Sequence, residues 1–372
     1  MKYYIIAGEA SGDLHASNLM KELKILDPAA QFRCWGGDLM QAAGGVLVKH
    51  YRDLAFMGFT EVLLNLKTIL GNLAFCKNDI TEFKPDVLIL VDYPGFNLRM
   101  AKFAHLSGIK VFYYISPQVW AWKQSRVSSI KKYVDRMFVI LPFEKDFYAG
   151  FGVEVDFVGH PLHDAIASDS ANRSGSEFLT RHVISEKPII ALLPGSRKQE
   201  IERVLPVMLS VIPGFDKYQF VVAGVSSVGQ GFYNKVLAGN DAQIVFDDTR
   251  ELLRNSVAAL VTSGTATLET AMIGIPQVVC YKGGQLSYLI ARQLIKVQFI
   301  SLVNLIAGRL VVEELIQDKL NRKALSQALT RILPEQADRT RILEDYKELN
   351  SRLGSEKASH KTARLMINYL GQ

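Results

Sequence analysis

The sequence predicts an α/β protein of two consecutive domains, each a doubly wound, Rossmann-like parallel sheet, facing a central cleft and followed by C-terminal helices. Three observations lead there. Short, nearly all-apolar β-prone runs alternate with helical stretches, as strands buried on both faces do. The alternation breaks once, in a small polar stretch between Ala167 and Ser176, and then restarts. The length of 372 residues suits two domains.

The expected elements run in order. A strand at Tyr3–Ala7 enters a glycine turn and a helix over Leu14–Leu26. Further strands fall at Phe32–Trp35, Val87–Val91, Val111–Tyr114 and Arg136–Ile140. After the break come strands at Pro188–Leu193, Phe220–Ala223, Gln243–Phe246, Ala258–Thr262 and Gln277–Tyr281. Helices fit Arg197–Val211, Arg250–Asn255 and Thr265–Ile273. From about Asn321 onward only helical signals remain. The domains expected are 1–170, 171–345 and a helical tail, 346–372, that packs back on the first domain.

Composition narrows the function. With 49% hydrophobic and 22% charged residues the chain is globular, not disordered, collagenous or coiled-coil. Three cysteines without CxxC spacing exclude a disulfide framework and a zinc-finger-like site, and fit a reducing cytosol. The net charge of +6 is spread along the chain, with one modest cluster at Lys123, Arg126, Lys131 and Lys132. That suits a phosphorylated substrate or an anionic membrane surface, and no nucleic-acid partner is expected. No apolar run reaches the roughly 18 residues of a membrane-spanning helix, and the N-terminus lacks the form of a signal peptide.

Ligands of doubly wound domains bind outside the carboxyl ends of the strands, and four motifs lie there. Gly8-Glu9-Ala10-Ser11-Gly12-Asp13 follows the first strand. It is neither GxGxxG nor a Walker loop, so a dinucleotide cofactor is not supported. It reads as an anion or substrate loop, or as a tight turn with Ser11 or Asp13 as N-cap. Pro194-Gly195-Ser196-Arg197 opens a helix, and Arg197 can fork onto a diphosphate. The structural alternative is an ion pair with Glu200 or Glu202, worth only about 0.3–0.5 kcal/mol.

Ser263-Gly264-Thr265, with Glu269 one helical turn on, offers donors to a phosphate and a carboxylate to a ribose diol. A capping box does not explain Glu269, because Ala266 stands three residues earlier; an ion pair is the alternative. Asp92 ends an apolar strand before a Pro-Gly turn, where a carboxylate is placed for general-base work or for an Asx-turn. His15, the two tryptophans of Ser116–Trp122 and Asn304 carry weaker signals. The charge-poor stretch from Phe56 to Phe75 fits a buried helix pair equally with a surface for acyl chains. No acid pair of metal-binding form follows a strand, so diphosphate departure is assigned to arginine, backbone amides and helix N-termini. No metal or cofactor is expected.

The motifs together resemble the lipid-A-disaccharide synthase family. The carrying residues are GEASGD at 8–13, MGF at 57–59, Asp92 with Pro94 and Phe96-Asn97, SPQVWAW at 116–122, VGHPL at 158–162, LLPGSR at 192–197, TSGTATLE at 262–269, and Ser301 with Asn304. They run in family order to about residue 305. The resemblance implies the GT-B architecture and inverting transfer of 2,3-diacylglucosamine from UDP-2,3-diacylglucosamine to 2,3-diacylglucosamine 1-phosphate. The products are a β-1,6 disaccharide and UDP, made on the cytoplasmic face of a Gram-negative inner membrane.

Carried over, Asp92 is the base and Arg197 the diphosphate clamp. Glu269 is the ribose ligand, with Gly264 and Thr265 near the phosphates. Asn304, Ser11 and Gly12 assist substrate binding. Phe56, Met57, Phe59, Leu63, Leu66 and Ile69 form the acyl or membrane surface, and a homodimer is a further expectation. Many relatives carry a second acid where this chain has Gly95, which sharpens the choice of Asp92; His163 replaces a commoner aliphatic residue. A UDP-sugar 2-epimerase-like isomerase and a non-catalytic nucleotide-sugar-binding membrane protein are the competing readings.

Overall fold

A computed structural model of the chain describes residues 1–54, 66–168, 175–284, 297–354 and 356–371. The chain divides into two compact units, Met1–Ala167 with Leu353–Gln372, and Ser168–Arg352.

Unit 1 holds seven parallel strands: β1 (Lys2–Ala7), β2 (Gln31–Gly36), β3 (Val46–His50), β4 (Val87–Val91), β5 (Lys110–Tyr114), β6 (Arg136–Val139) and β7 (Asp156–Phe157). Their order is β3-β2-β1-β4-β5-β6-β7, so the winding direction reverses between β1 and β4. Side chains alternate across the sheet. Tyr3, Ile5 and Ala7 enter one core, and Tyr4 and Ile6 the other, which is why β1 is apolar from Tyr3 onward. The first helix covers Ala10–Leu26 and begins four residues before the expected start. Gly12 lies inside its first turn, where a Cβ would stand 3.1 Å from that of Ala7, so glycine lets the helix settle onto β1.

The helix Ala358–Leu370 lies against the helix Ala10–Leu26 in this unit. The buried Asp164 carboxylate accepts from the amides of Ala358 (2.9 Å) and Ser359 (3.0 Å) and from the Ser359 hydroxyl, neutralising that helix start. His360 meets Glu22 at 2.9 Å, and the Arg136 guanidinium lies 4.0 Å above the Tyr369 ring.

Unit 2 holds six parallel strands: β8 (Ile189–Leu193), β9 (Gln219–Gly224), β10 (Ala242–Phe246), β11 (Ser256–Thr262), β12 (Gln277–Tyr281) and β13 (Glu314–Ile316). The order β10-β9-β8-β11-β12-β13 reverses between β8 and β11. Helices Arg322–Ile332 and Ala337–Arg352 complete the unit. Among the described residues no helix is long and apolar enough to cross a membrane.

The strands β3, β7 and β13 were not expected. All three are sheet edges, short and largely half-buried, and none carries the continuous apolar run of a central strand.

Candidate functional site

In unit 2 the reversal point between β8 and β11 opens into a cavity of about 410 Å³, a size suited to a small ligand. Its floor is the turn Gly195–Arg197 after β8 and the turn Ser263–Thr265 after β11; Ala223 and Val225 close one side. Gly195 has φ +102°, and a Cβ there would sit 2.6 Å from a Glu200 carboxylate oxygen, so only glycine fits. Gly264 is the N-cap of the helix Thr265–Ile273, and nothing lies within 4 Å of where its Cβ would be. The Thr265 and Ala266 amides that open this helix have no intrahelical acceptor, and the space they face is one where an anion is favoured. Ser263 is braced by its hydroxyl, 2.9 Å from the Ile300 carbonyl. The Thr262 hydroxyl is buried in the lining without a hydrogen-bond partner among the described residues.

Arg197 is 68% exposed, and one terminal nitrogen lies 3.3 Å from Glu200. The structural alternative is thus present, but it engages few of the five guanidinium donors and is weak in solvent. Glu269 also lines the cavity. Its Oε1 accepts from Arg250 Nε at 2.7 Å, so the ion pair named as the alternative for this carboxylate is formed. Arg250, on the short helix Thr249–Arg254, received no role from sequence. The Asp-Asp-Thr-Arg segment after β10 was its only signal, and its pairing with Glu269 is non-local.

Asn304, expected to assist substrate binding, lies on the helix Leu302–Ala307. It is fully buried. Its amide nitrogen donates to the Val312 carbonyl and to Glu314, both at 2.8 Å, while its oxygen accepts from the Val311 and Val312 amides. These bonds use its donors and acceptors and tie the loop ahead of β13 to the helix that carries Asn304. Ser301, the N-cap of that helix, is held by the same Glu314.

In unit 1 the reversal point brings Gly8–Asp13 beside Asp92. Gly8 is covered by the Tyr93 ring, which a Cβ would overlap at 2.3 Å. Asp92 and Tyr93 are both left-handed, at φ +44° and +48°, a conformation costly for non-glycine residues. The Asp92 carbonyl stabilises it by accepting from the Tyr113 hydroxyl at 2.5 Å and the Asn97 amide at 2.7 Å. Burial, with the Glu9 charge second and the Tyr93 backbone N–H opposing, pushes the Asp92 carboxyl up to about 6.

Ser11 is exposed on the first helical turn. Neither Ser11 nor Asp13 caps the helix; the N-cap is Glu9, without a side-chain bond. Asp13 instead accepts from the amides of Gly37 (2.8 Å), Met40 (3.1 Å) and Leu39 (3.2 Å), capping the helix Asp38–Ala42. His15 is pushed down to about 4 and His160 to about 3, both by burial first, so both are neutral at pH 7.

Trp120 is buried edge-on against Phe143, while Trp122 is exposed. Phe56, Met57, Phe59 and Leu63 lie outside the described residues, as does the side chain of Leu66, which opens the helix Leu66–Phe83. Ile69, expected on the acyl surface, packs half-buried against the core, whereas Leu70 and Phe75 of the same helix are exposed. No group of three or more metal-binding side chains occurs among the described residues.

A family profile described as Lipid-A-disaccharide synthetase matches residues 3–367. The chain is 40% identical to the lipid-A-disaccharide synthase of Syntrophus aciditrophicus, over 98% of this chain and 97% of the relative. It is 40% identical to that of Geobacter metallireducens, over 99% and 97%. Solved structures with the same fold include the S. aureus MnaA–UDP co-structure (TM-score 0.70, 13% identity, 100% of this chain and 97% of that one). The kitacinnamycin glycotransferase aligns with TM-score 0.66, 13% identity and 99% of each chain. At such low identity these two speak for the fold alone. The chain belongs to the lipid-A-disaccharide synthase family, glycosyltransferases of lipid A synthesis with the GT-B fold.

Proposed function

We propose that the protein transfers 2,3-diacylglucosamine from UDP-2,3-diacylglucosamine to 2,3-diacylglucosamine 1-phosphate, with inversion, forming a β-1,6 disaccharide 1-phosphate and UDP. Unit 2 takes the donor's UDP and unit 1 the acceptor. The observation that carries the reading is the anion-ready cavity at the reversal point of unit 2; unit 1 carries a partly buried acid at its own.

In the reaction the Asp92 carboxylate accepts the proton of the acceptor 6-hydroxyl as its oxygen attacks the sugar's C1. The bond from C1 to the diphosphate oxygen breaks, and its electron pair leaves with UDP. A base held near 6 is ionised at neutral pH yet better matched to the operating pH than an ordinary carboxylate. The leaving diphosphate gains charge where the Thr265 end of the helix and the Arg197 guanidinium stabilise it. Glu269 takes the ribose diol once Arg250 shares or releases it. Exposed Ser11 faces the acceptor side, and Gly12 seats the same helix turn on β1.

Peripheral attachment to the cytoplasmic face of the inner membrane belongs to the same reading. It is supported by the net charge of +6 and the exposed Leu70 and Phe75. Assembly as a homodimer is its further expectation. The test is incubation with both lipid substrates and detection of the disaccharide by mass. Donor breakdown without a disaccharide, or epimerised donor, would contradict it.

A further inference from the structure

We propose that residues 120–133 of unit 1, the segment following β5, form a docking surface for anionic lipid headgroups, with Trp122 as its interfacial anchor. The inference deepens the peripheral-membrane part of the proposed function and is independent of the donor, acceptor and base assignments.

The chemistry starts in the sequence. From Trp120 to Val134 there are four cations, Lys123, Arg126, Lys131 and Lys132, and no acid. The structure puts two of these charges, Lys123 and Arg126, beside an exposed aromatic, while Lys132 lies over the Tyr133 ring. Trp122 is 43% exposed, with Lys123 Nζ 4.5 Å and the Arg126 guanidinium 5.6 Å from its ring centroid. Lys123, Arg126 and Lys132 have no carboxylate partner among the described residues. Lys131 donates to the Phe151 carbonyl at 3.0 Å, and Phe151 is itself 41% exposed. Between the helix Arg126–Tyr133 and Phe151 lies an open hollow of about 410 Å³, reached by Gln124, Ser128 and Lys131.

Exposed tryptophan with flanking lysine and arginine is the combination that settles at a membrane interface: the ring lies at headgroup depth and the cations meet lipid phosphates. A protein partner would call for a larger apolar patch than two separated rings. The segment leaves the carboxyl end of β5, the sheet edge that carries Asp92 on neighbouring β4. Docking there brings the carboxyl edge of the unit 1 sheet to the lipid surface.

The test uses the full chain and vesicles of phosphatidylcholine with or without phosphatidylglycerol. Binding is expected only with the anionic lipid and should fall as salt rises. Lys123→Ala with Arg126→Ala should weaken partitioning about five-fold per charge, while transfer from detergent-dispersed substrates stays at the wild-type rate. Trp35 and Trp120 are buried, so quenching of wild-type fluorescence by brominated lipid reports on Trp122 and needs no variant. Equal binding to neutral vesicles, unchanged partitioning of the double variant, or absence of quenching would overturn the proposal. So would a Trp122→Ala variant that binds vesicles normally but loses mass in light scattering, since the face would then join two copies of the chain.

Discussion

The two reversal points have the same topology and opposite character. At β8/β11 the turns are glycine-rich, the helix start faces the cavity, and the cation in the lining, Arg197, is largely in solvent. At β1/β4 the glycine is covered by Tyr93, and Asp92 is fixed by two hydrogen bonds to its own carbonyl in a left-handed conformation. One edge keeps room for a large anion; the other holds a single carboxyl in an environment that disfavours its charge. The same architecture thus supplies a receptive site and a preset one, the difference lying in a few residues after each strand.

Asp92→Asn should break the comparison most completely. Turnover is expected to fall about 10²- to 10⁴-fold, with UDP affinity unchanged in calorimetry. The folded state raises this carboxyl from 3.8 to about 6. Its ionisation therefore costs stability that is lost as pH rises from about 4 through 6, so the variant should be more stable at pH 7, by on the order of 2–3 kcal/mol. Denaturant unfolding checks this, and a destabilised variant would contradict the environment described.

Arg197→Ala addresses the other edge. UDP binding should weaken about ten- to a hundredfold, the worth of a charge-assisted hydrogen bond; unchanged affinity would remove the clamp. Tyr113→Phe is the subtler change. It deletes one donor to the Asp92 carbonyl and leaves Asn97 in place. A two- to tenfold drop in kcat is expected, with UDP affinity intact, read from steady-state kinetics beside calorimetry.

The central strands were legible because β1, β4, β8 and β11 are covered on both faces and are apolar along their middles. The edges β3, β7 and β13 were not, since half-buried strands such as Asp156–Phe157 leave no periodic signal. The glycine turns at the strand ends could be read from residue type alone, because few side chains tolerate those backbones. Roles that depend on non-local partners could not. Asp13 has the look of a local cap and caps a helix some twenty-five residues away, beginning at Asp38. The bonds of Asn304 to Val311, Val312 and Glu314 likewise leave no local trace in the sequence. Arg250 and Glu269 meet across two helices with no sequence spacing to announce it.

The most direct measurement is the pH dependence of kcat/KM for the transfer reaction. The carboxylate is the active form, so the rate should rise with pH to a midpoint near 6 and then level. Asp92→Asn should remove that rise along with nearly all the activity. A wild-type profile flat between pH 5 and 8, or a variant that retains turnover, would show that the base is another group.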